Sequence, residues 1–225
     1  MPGRPEDPRW AVFITCVVSH LPMLFTVALL MRRQMRQECV MGLFAVVVSF
    51  MYHTCECFNS VLFLSEMHWH RLDNIGAITS VGCSCLHLAC VESRAVLEYT
   101  QSAVLFMVII LQEAAPWDIG YTLAPVSVCV FVPIVSHLWN PRRRQGIFPR
   151  RLIIGLAACV IGAMFFAFGL DDQNDPFRVF HGLFHVFIGI GVFFFFYSIR
   201  RPVERKRSPT QSPRYDDPIA VIVNM

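Results

Sequence analysis

The chain has 225 residues, of which 55% are hydrophobic and only 16% are charged, and its formal net charge is +3. An ordinary soluble domain is excluded, because such domains carry about 25% charged residues. The small net charge gives no sign of a nucleic-acid surface, and we expect no nucleic-acid partner.

Seven apolar stretches are long enough to cross the roughly 30 Å hydrocarbon core of a membrane. In chain order they cover residues 11–31, 40–62, 73–92, 97–113, 119–139, 151–170 and 177–199. The sequence therefore predicts an all-α, polytopic membrane protein with one seven-transmembrane helix bundle over 11–199. A short N-terminal segment, 1–10, precedes the bundle, and a basic, proline-broken tail that we predict to be disordered, 200–225, follows it.

Arginine and lysine are unevenly divided between the loops. Three arginines follow the first stretch, five lie between residues 142 and 151, and the tail after residue 199 carries six basic residues. The loops on the opposite side of the membrane hold at most one basic residue each. The positive-inside rule then places the N-terminus outside or in a lumen and the C-terminus in the cytoplasm.

This orientation indicates a plasma membrane or secretory-pathway protein. The basic loops and tail are expected to contact anionic cytoplasmic lipid. Whether the chain forms a homodimer stays open.

Polar residues within the apolar stretches are the strongest functional signal. The seventh stretch contains H-G-L-F-H, with His181 and His185 at i, i+4 on one helix face. Ser49 and His53 have the same spacing in the second stretch, and Asp73 opens the third. Ionisable groups inside a membrane span are costly, so they indicate function.

Each of these residues also has a purely structural interpretation. One histidine can hydrogen-bond a neighbouring span, Asp73 can cap the third helix, and Ser49 can pack between helices. The predicted orientation, however, places all five in the outer half of the membrane. The common depth favours one shared site.

Three neutral imidazoles suit Zn²⁺, and a catalytic zinc keeps a fourth position for water. We predict His53, His181 and His185 as the zinc ligands. Asp73 would act as the general base, and the Ser49 hydroxyl would support the transition state. The substrate would be a membrane lipid whose head enters the outer-leaflet half of the bundle.

Other polar residues receive structural interpretations. His87 lies too deep to share the ion, and we expect it to hydrogen-bond another span. His68 and His70 either bind a surface metal or belong to an interfacial loop anchored by Trp69, and we favour the loop. The nine cysteines are interpreted as small buried hydrophobes, with a metal or disulfide role for Cys55 and Cys57 left as the alternative.

The S-x-x-x-H, early Asp and H-x-x-x-H pattern over seven spans resembles the CREST superfamily. This group includes alkaline ceramidases, the progestin and adipoQ receptors, and the transmembrane protein eight family with myomaker. S-F-M-Y-H-T-C-E, R-R-R-Q-G-I-F-P and V-F-H-G-L-F-H are most similar to the last branch. The resemblance implies that Ser49, His53, Asp73, His181 and His185 are zinc-site residues. The chain lacks the C-terminal cysteine cluster of vertebrate myomaker, which weakens the implied fusion role.

Two functions remain open from the sequence. One is a zinc-dependent hydrolase that cleaves an ester or amide of a membrane lipid. The alternative is a non-catalytic protein whose structural zinc ties spans together, with a role in cell–cell fusion or lipid organisation. A transporter is less favoured, because no inverted repeat is evident.

Overall fold

The computed structural model of the chain describes residues 6–91 and 93–200. Within these ranges the regular structure is helical, and the only β-type pairs are two isolated bridges. The α-helices are α1 (Arg9–Cys16), α2 (Leu21–Arg32), α3 (Arg36–Phe58), α4 (Glu66–Leu88), α5 (Arg94–Ala114), α6 (Ile119–Trp139), α7 (Pro149–Phe168) and α8 (Val179–Ser198). The predicted tail beyond Arg200 lies outside the described residues, as do the first five residues.

Six helical segments in the described part of the chain are long and apolar enough to cross a membrane. They are Arg9–Arg32, Arg36–Phe58, Arg94–Ala114, Ile119–Trp139, Pro149–Phe168 and Pro176–Ser198. The chain is therefore a multi-pass integral membrane protein with an all-helical fold. The third predicted span corresponds to α4, which is 23 residues long but is not among the six, because its first turns are polar.

The first predicted span is not one continuous helix. It breaks into α1 and α2 around a short 3₁₀ turn, Val18–His20. Pro22 accompanies the break and lacks the N–H that would bond the carbonyl four residues earlier. The carbonyl groups at the end of α1 are thereby left available for side chains.

The prediction that Asp73 opens the third helix is wrong. α3 ends at Phe58, where Asn59 adopts a left-handed conformation, and α4 begins at Glu66 after Ser65. Asp73 thus lies in the third turn of α4 and cannot be its cap. His68 and His70 lie in the first turns of this helix, so the predicted interfacial loop at these residues is also wrong. The polar run E-M-H-W-H-R looked like a loop because it lacks apolar periodicity, but it contains no helix breaker.

The remaining spans lie close to their predicted places, and α6 has the predicted bounds. The bundle packs α3 against α4 and α7 along α8, with α1 and α2 crossing α8. Gly76 of α4 allows a close approach to α3, because a Cβ there would lie 2.9 Å from the Ala45 Cα. Small residues commonly permit such contacts between membrane helices.

A buried polar network ties α3, α4 and α5 together. Glu38 lies 2.6 Å from the His87 Nε2 and 2.9 Å from the Gln101 Nε2, and Arg94 is 3.2 Å away. The prediction that His87 hydrogen-bonds another span is confirmed. This network is separate from the histidines described next.

Candidate metal centre

Four histidine rings meet where the α1–α2 break, α3 and α8 come together. His53 on α3 has its ring centre 4.8 Å from those of both His181 and His185 on α8. The two α8 rings are 4.6 Å apart. His20, at the break, has its ring centre 4.0 Å from that of His185. Residues 165 positions apart in the sequence thus form one cluster.

His53 is held by an acid one turn away. Its Nδ1 lies 2.7 Å from the Glu56 Oε2, and both side chains are buried. The Tyr52 hydroxyl donates to the other oxygen of Glu56 at 3.4 Å. A carboxylate on Nδ1 fixes the tautomer and leaves Nε2 with a free lone pair, as in metal-binding histidines.

The free side of His53 faces His181. Their Nε2 atoms are 3.3 Å apart. Two imidazole nitrogens at this separation either share one proton or bind one ion. Tetrahedral zinc with Zn–N bonds of about 2.0–2.1 Å holds neighbouring nitrogens about 3.3–3.4 Å apart.

His185 is held by the broken first span. Its Nδ1 lies 3.2 Å from the Cys16 carbonyl oxygen and 3.1 Å from the Ser19 Oγ. The carbonyl groups in the last turn of a helix have no partner within that helix, so the end of α1 at Cys16 supplies this acceptor. The Nε2 of His185 is again the nitrogen left over for a ligand.

His20 is the functional candidate that the sequence interpretation missed. Its ring nitrogens have protein neighbours on both sides: Nδ1 lies 3.1 Å from the Val17 carbonyl oxygen and Nε2 lies 2.7 Å from the Ser49 Oγ. His20, His53 and His185 nevertheless offer ring nitrogens within 4.8 Å of one another, and all three are buried. A buried histidine triad that could bind a metal is therefore present. The sequence signal that could have identified His20 is its position as an ionisable residue inside an apolar span.

Ser49 and Asp73 lie beside this cluster. The Asp73 carboxylate on α4 interacts with the Ser49 hydroxyl and with His53. Ser49 is thus between Asp73 and His20. Asp73 and His181 are half-buried, whereas Ser49, His53 and His185 are buried. The structure brings all five predicted residues together and adds His20 and Glu56 to them. The H-x-x-E spacing of His53 and Glu56 was visible in the sequence.

Charged groups brace the N-terminal end of α8. The Asp175 carboxylate accepts hydrogen bonds from the backbone N–H groups of Phe180 and His181 at 2.8 and 3.0 Å. Burial raises the pKa of Asp175, although these donors oppose the shift. The Arg178 Nη2 lies 3.7 Å from Glu56, which links the loop before α8 to the acid that holds His53.

The other polar residues that the sequence analysis considered, among them His68 and His70, are not part of the four-histidine cluster. The His68 Nδ1 and the Ser65 Oγ are hydrogen-bonded at 2.7 Å. The His70 ring stacks on that of Trp117, with the ring centres 3.7 Å apart. Trp69 donates to the Leu62 carbonyl oxygen at 2.7 Å. The nine cysteines, Cys55 and Cys57 among them, are free thiols in the structure.

Comparison with protein-family models shows that the chain belongs to a family described as protein of unknown function DUF3522, whose model matches residues 8–186. The match includes the four clustered histidines and ends one residue after His185. A comparison with curated proteins found no match.

Proposed function

We propose that this membrane protein holds one zinc ion on His53, His181 and His185. The support is the 3.3 Å separation of the His53 and His181 Nε2 atoms, which suits ligands of one tetrahedral ion. His53 and His185 also have their Nδ1 atoms engaged by protein oxygens, which directs Nε2 to a metal. His20 is the weaker ligand, because both of its nitrogens already lie within hydrogen-bond distance of oxygen.

The reaction we propose is hydrolysis of an ester or amide bond in a membrane lipid. A bound zinc with an open position would supply hydroxide near neutral pH. Asp73 would accept a proton as general base, and Ser49, which lies between Asp73 and His20, would hold the reacting oxygen by its hydroxyl. The exposed surface retained by Asp73 and His181 supports approach of a substrate from their side.

We further propose seven spans, with α4 as the third, the N-terminus outside and the C-terminus cytoplasmic. The arginine-rich loop between α6 and α7 supports this orientation. It puts the histidine cluster in the outer half of a plasma or secretory-pathway membrane. The pattern of site residues is the basis for proposing a relationship to the CREST superfamily.

The second candidate is a structural zinc that joins α3 and α8 without catalysis, in a protein of cell–cell fusion or lipid organisation. Burial favours this candidate, because His53 and His185 are only 1% and 3% exposed. Structural zinc sites are usually closed, whereas catalytic sites keep an accessible position.

Metal analysis of the purified full chain tests the ligand set. We expect about one zinc per chain in the wild type. Separate His53→Asn, His181→Asn and His185→Asn variants should lose it, and His20→Asn should retain it. A wild type without zinc would refute the proposal. Loss in His20→Asn with retention in His181→Asn would instead assign the metal to the buried triad.

Lipid analysis then separates the two functions. Asp73→Asn should keep zinc, because no proposed ligand changes, but it should abolish turnover of the substrate lipid. The control is Asp171→Asn, which alters an exposed carboxylate in the loop before α8. Unchanged lipid composition in cells that produce Asp73→Asn rather than wild type would contradict the hydrolase and favour structural zinc.

A further inference from the structure

A groove of about 480 Å³ runs along one side of α6, far in sequence from the histidine cluster. Apolar side chains form most of its lining, together with one serine and one arginine. Its lining includes Val128, Phe131, Val135, Ser136, Trp139 and Arg143.

Nothing in the described part of the chain covers this wall. Phe131 is 62% exposed and Trp139 is 87% exposed. From Val128 to Trp139, α6 rises about 16 Å. This length is about half of a 30 Å hydrocarbon core, so it matches the acyl region of one leaflet.

Arg143 carries a charge that the described residues do not balance. Its Nη1 donates to the Ser136 Oγ at 2.5 Å, and Ser136 in turn donates to the Ala89 carbonyl oxygen at 2.8 Å. The Arg143 Nε is buried without a hydrogen-bond partner among the described residues. The Arg143 side chain forms no ion pair with a described residue. Residues 140–151 contain five arginines and no acid. An arginine fixed in this way beside apolar side chains is complementary to a phosphate.

We propose that the groove binds an anionic phospholipid. The phosphate contacts Arg143, one acyl chain lies along Val128, Phe131 and Val135, and the Trp139 ring sits at the level of the head group, where tryptophan is enriched in membrane proteins. The proposal rests on the multi-pass fold and on the groove, and it is independent of the zinc centre.

Native mass spectrometry of the full chain in detergent tests this binding, with dioleoyl phosphatidylserine and dioleoyl phosphatidylcholine as probes. Both probes carry a phosphate, but only phosphatidylserine keeps a net negative charge beside Arg143. The wild type should therefore retain phosphatidylserine at least about tenfold better, the change expected for one charge-assisted contact. Arg143→Gln should remove that preference. The control Arg142→Gln changes a neighbouring exposed arginine that does not line the groove, and it should keep the preference.

A second variant tests the apolar wall without changing charge. Val135→Trp should fill the groove and reduce retention of phosphatidylserine, while monodispersity and the melting temperature report correct folding. Equal retention of both lipids, or equal effects of Arg142→Gln and Arg143→Gln, would overturn the proposal. So would a two-chain species that Val135→Trp disrupts, because the groove would then be a contact between copies of the chain.

Discussion

Replacing Glu56 should weaken zinc binding although Glu56 is not a ligand. In the structure its Oε2 lies 2.7 Å from the His53 Nδ1, and its side chain is only 7% exposed. Such a carboxylate orients the ring and makes its other nitrogen a stronger donor to a metal. In the proposed centre the carboxylate therefore acts on zinc through His53.

The size of the effect follows from this hydrogen bond. A hydrogen bond to a charged group contributes about 1.5–3 kcal/mol, which corresponds to a change in affinity of roughly 10- to 100-fold. Glu56→Ala removes the bond and should approach the upper value. Glu56→Gln keeps an acceptor oxygen but loses the charge, and we expect a loss of about tenfold, because neutral bonds are about half as strong.

Competition with a chromogenic zinc chelator on purified protein would measure both affinities. Two controls separate the interaction with His53 from general effects. Tyr52→Phe removes only the 3.4 Å contact to Glu56, and Glu113→Gln alters an exposed carboxylate paired with Arg71. Both should leave zinc affinity within about twofold of wild type, since exposed ion pairs and long hydrogen bonds contribute little. A folded Glu56→Ala variant with wild-type affinity would refute the role of Glu56.

Three further predictions concern stability, measured by thermal unfolding in one detergent. Gly182→Ala should destabilise the protein by about 1–3 kcal/mol, because the new Cβ would clash with the Thr15 carbonyl oxygen of α1. Gly42→Ala has room for the methyl group and should be neutral or stabilising. Equal melting temperatures would contradict the close approach of α8 to α1. Glu38→Ala should cost about 3–5 kcal/mol, because it removes a fully buried carboxylate from its partners. Glu98→Ala, in a half-exposed pair, should cost less than about 1 kcal/mol. A small effect of Glu38→Ala would show that the network is not stabilising. Chelation should lower the melting temperature of the zinc-loaded wild type but not that of His181→Asn. The reason is that a ligand present at about 100 times its Kd stabilises the folded state by about 2.7 kcal/mol. Equal changes in the melting temperatures of the two proteins would mean that the chelator acts elsewhere.

Hydrophobic length predicted most of the helices well. α6 has the predicted ends, and α8 differs from the seventh predicted span by a few residues. Combined with the orientation of the spans, this was enough to expect His53 and His181 near one another. The depth of a residue in a membrane span follows from its position in the sequence, so a shared depth is visible without a structure.

Helix starts and breaks were harder to predict, and these errors affected the site. α4 begins at Glu66 rather than at residue 73, because polar residues extend a helix as readily as apolar ones once tertiary contacts support it. Pro22 accompanies a break in the first span, yet Pro125 and Pro133 lie inside an unbroken α6. Proline alone therefore does not predict a break, because neighbouring helices decide whether the freed carbonyl groups find partners.

The break between α1 and α2 positions one of the clustered histidines. The Cys16 carbonyl oxygen holds His185, and the Thr15 side chain donates to the Phe177 carbonyl oxygen in the loop before α8. A continuous first helix would use the Cys16 carbonyl within its own ladder, so His185 would lose this acceptor. The break therefore gives His185 the acceptor that, in the proposed centre, leaves its Nε2 for the metal.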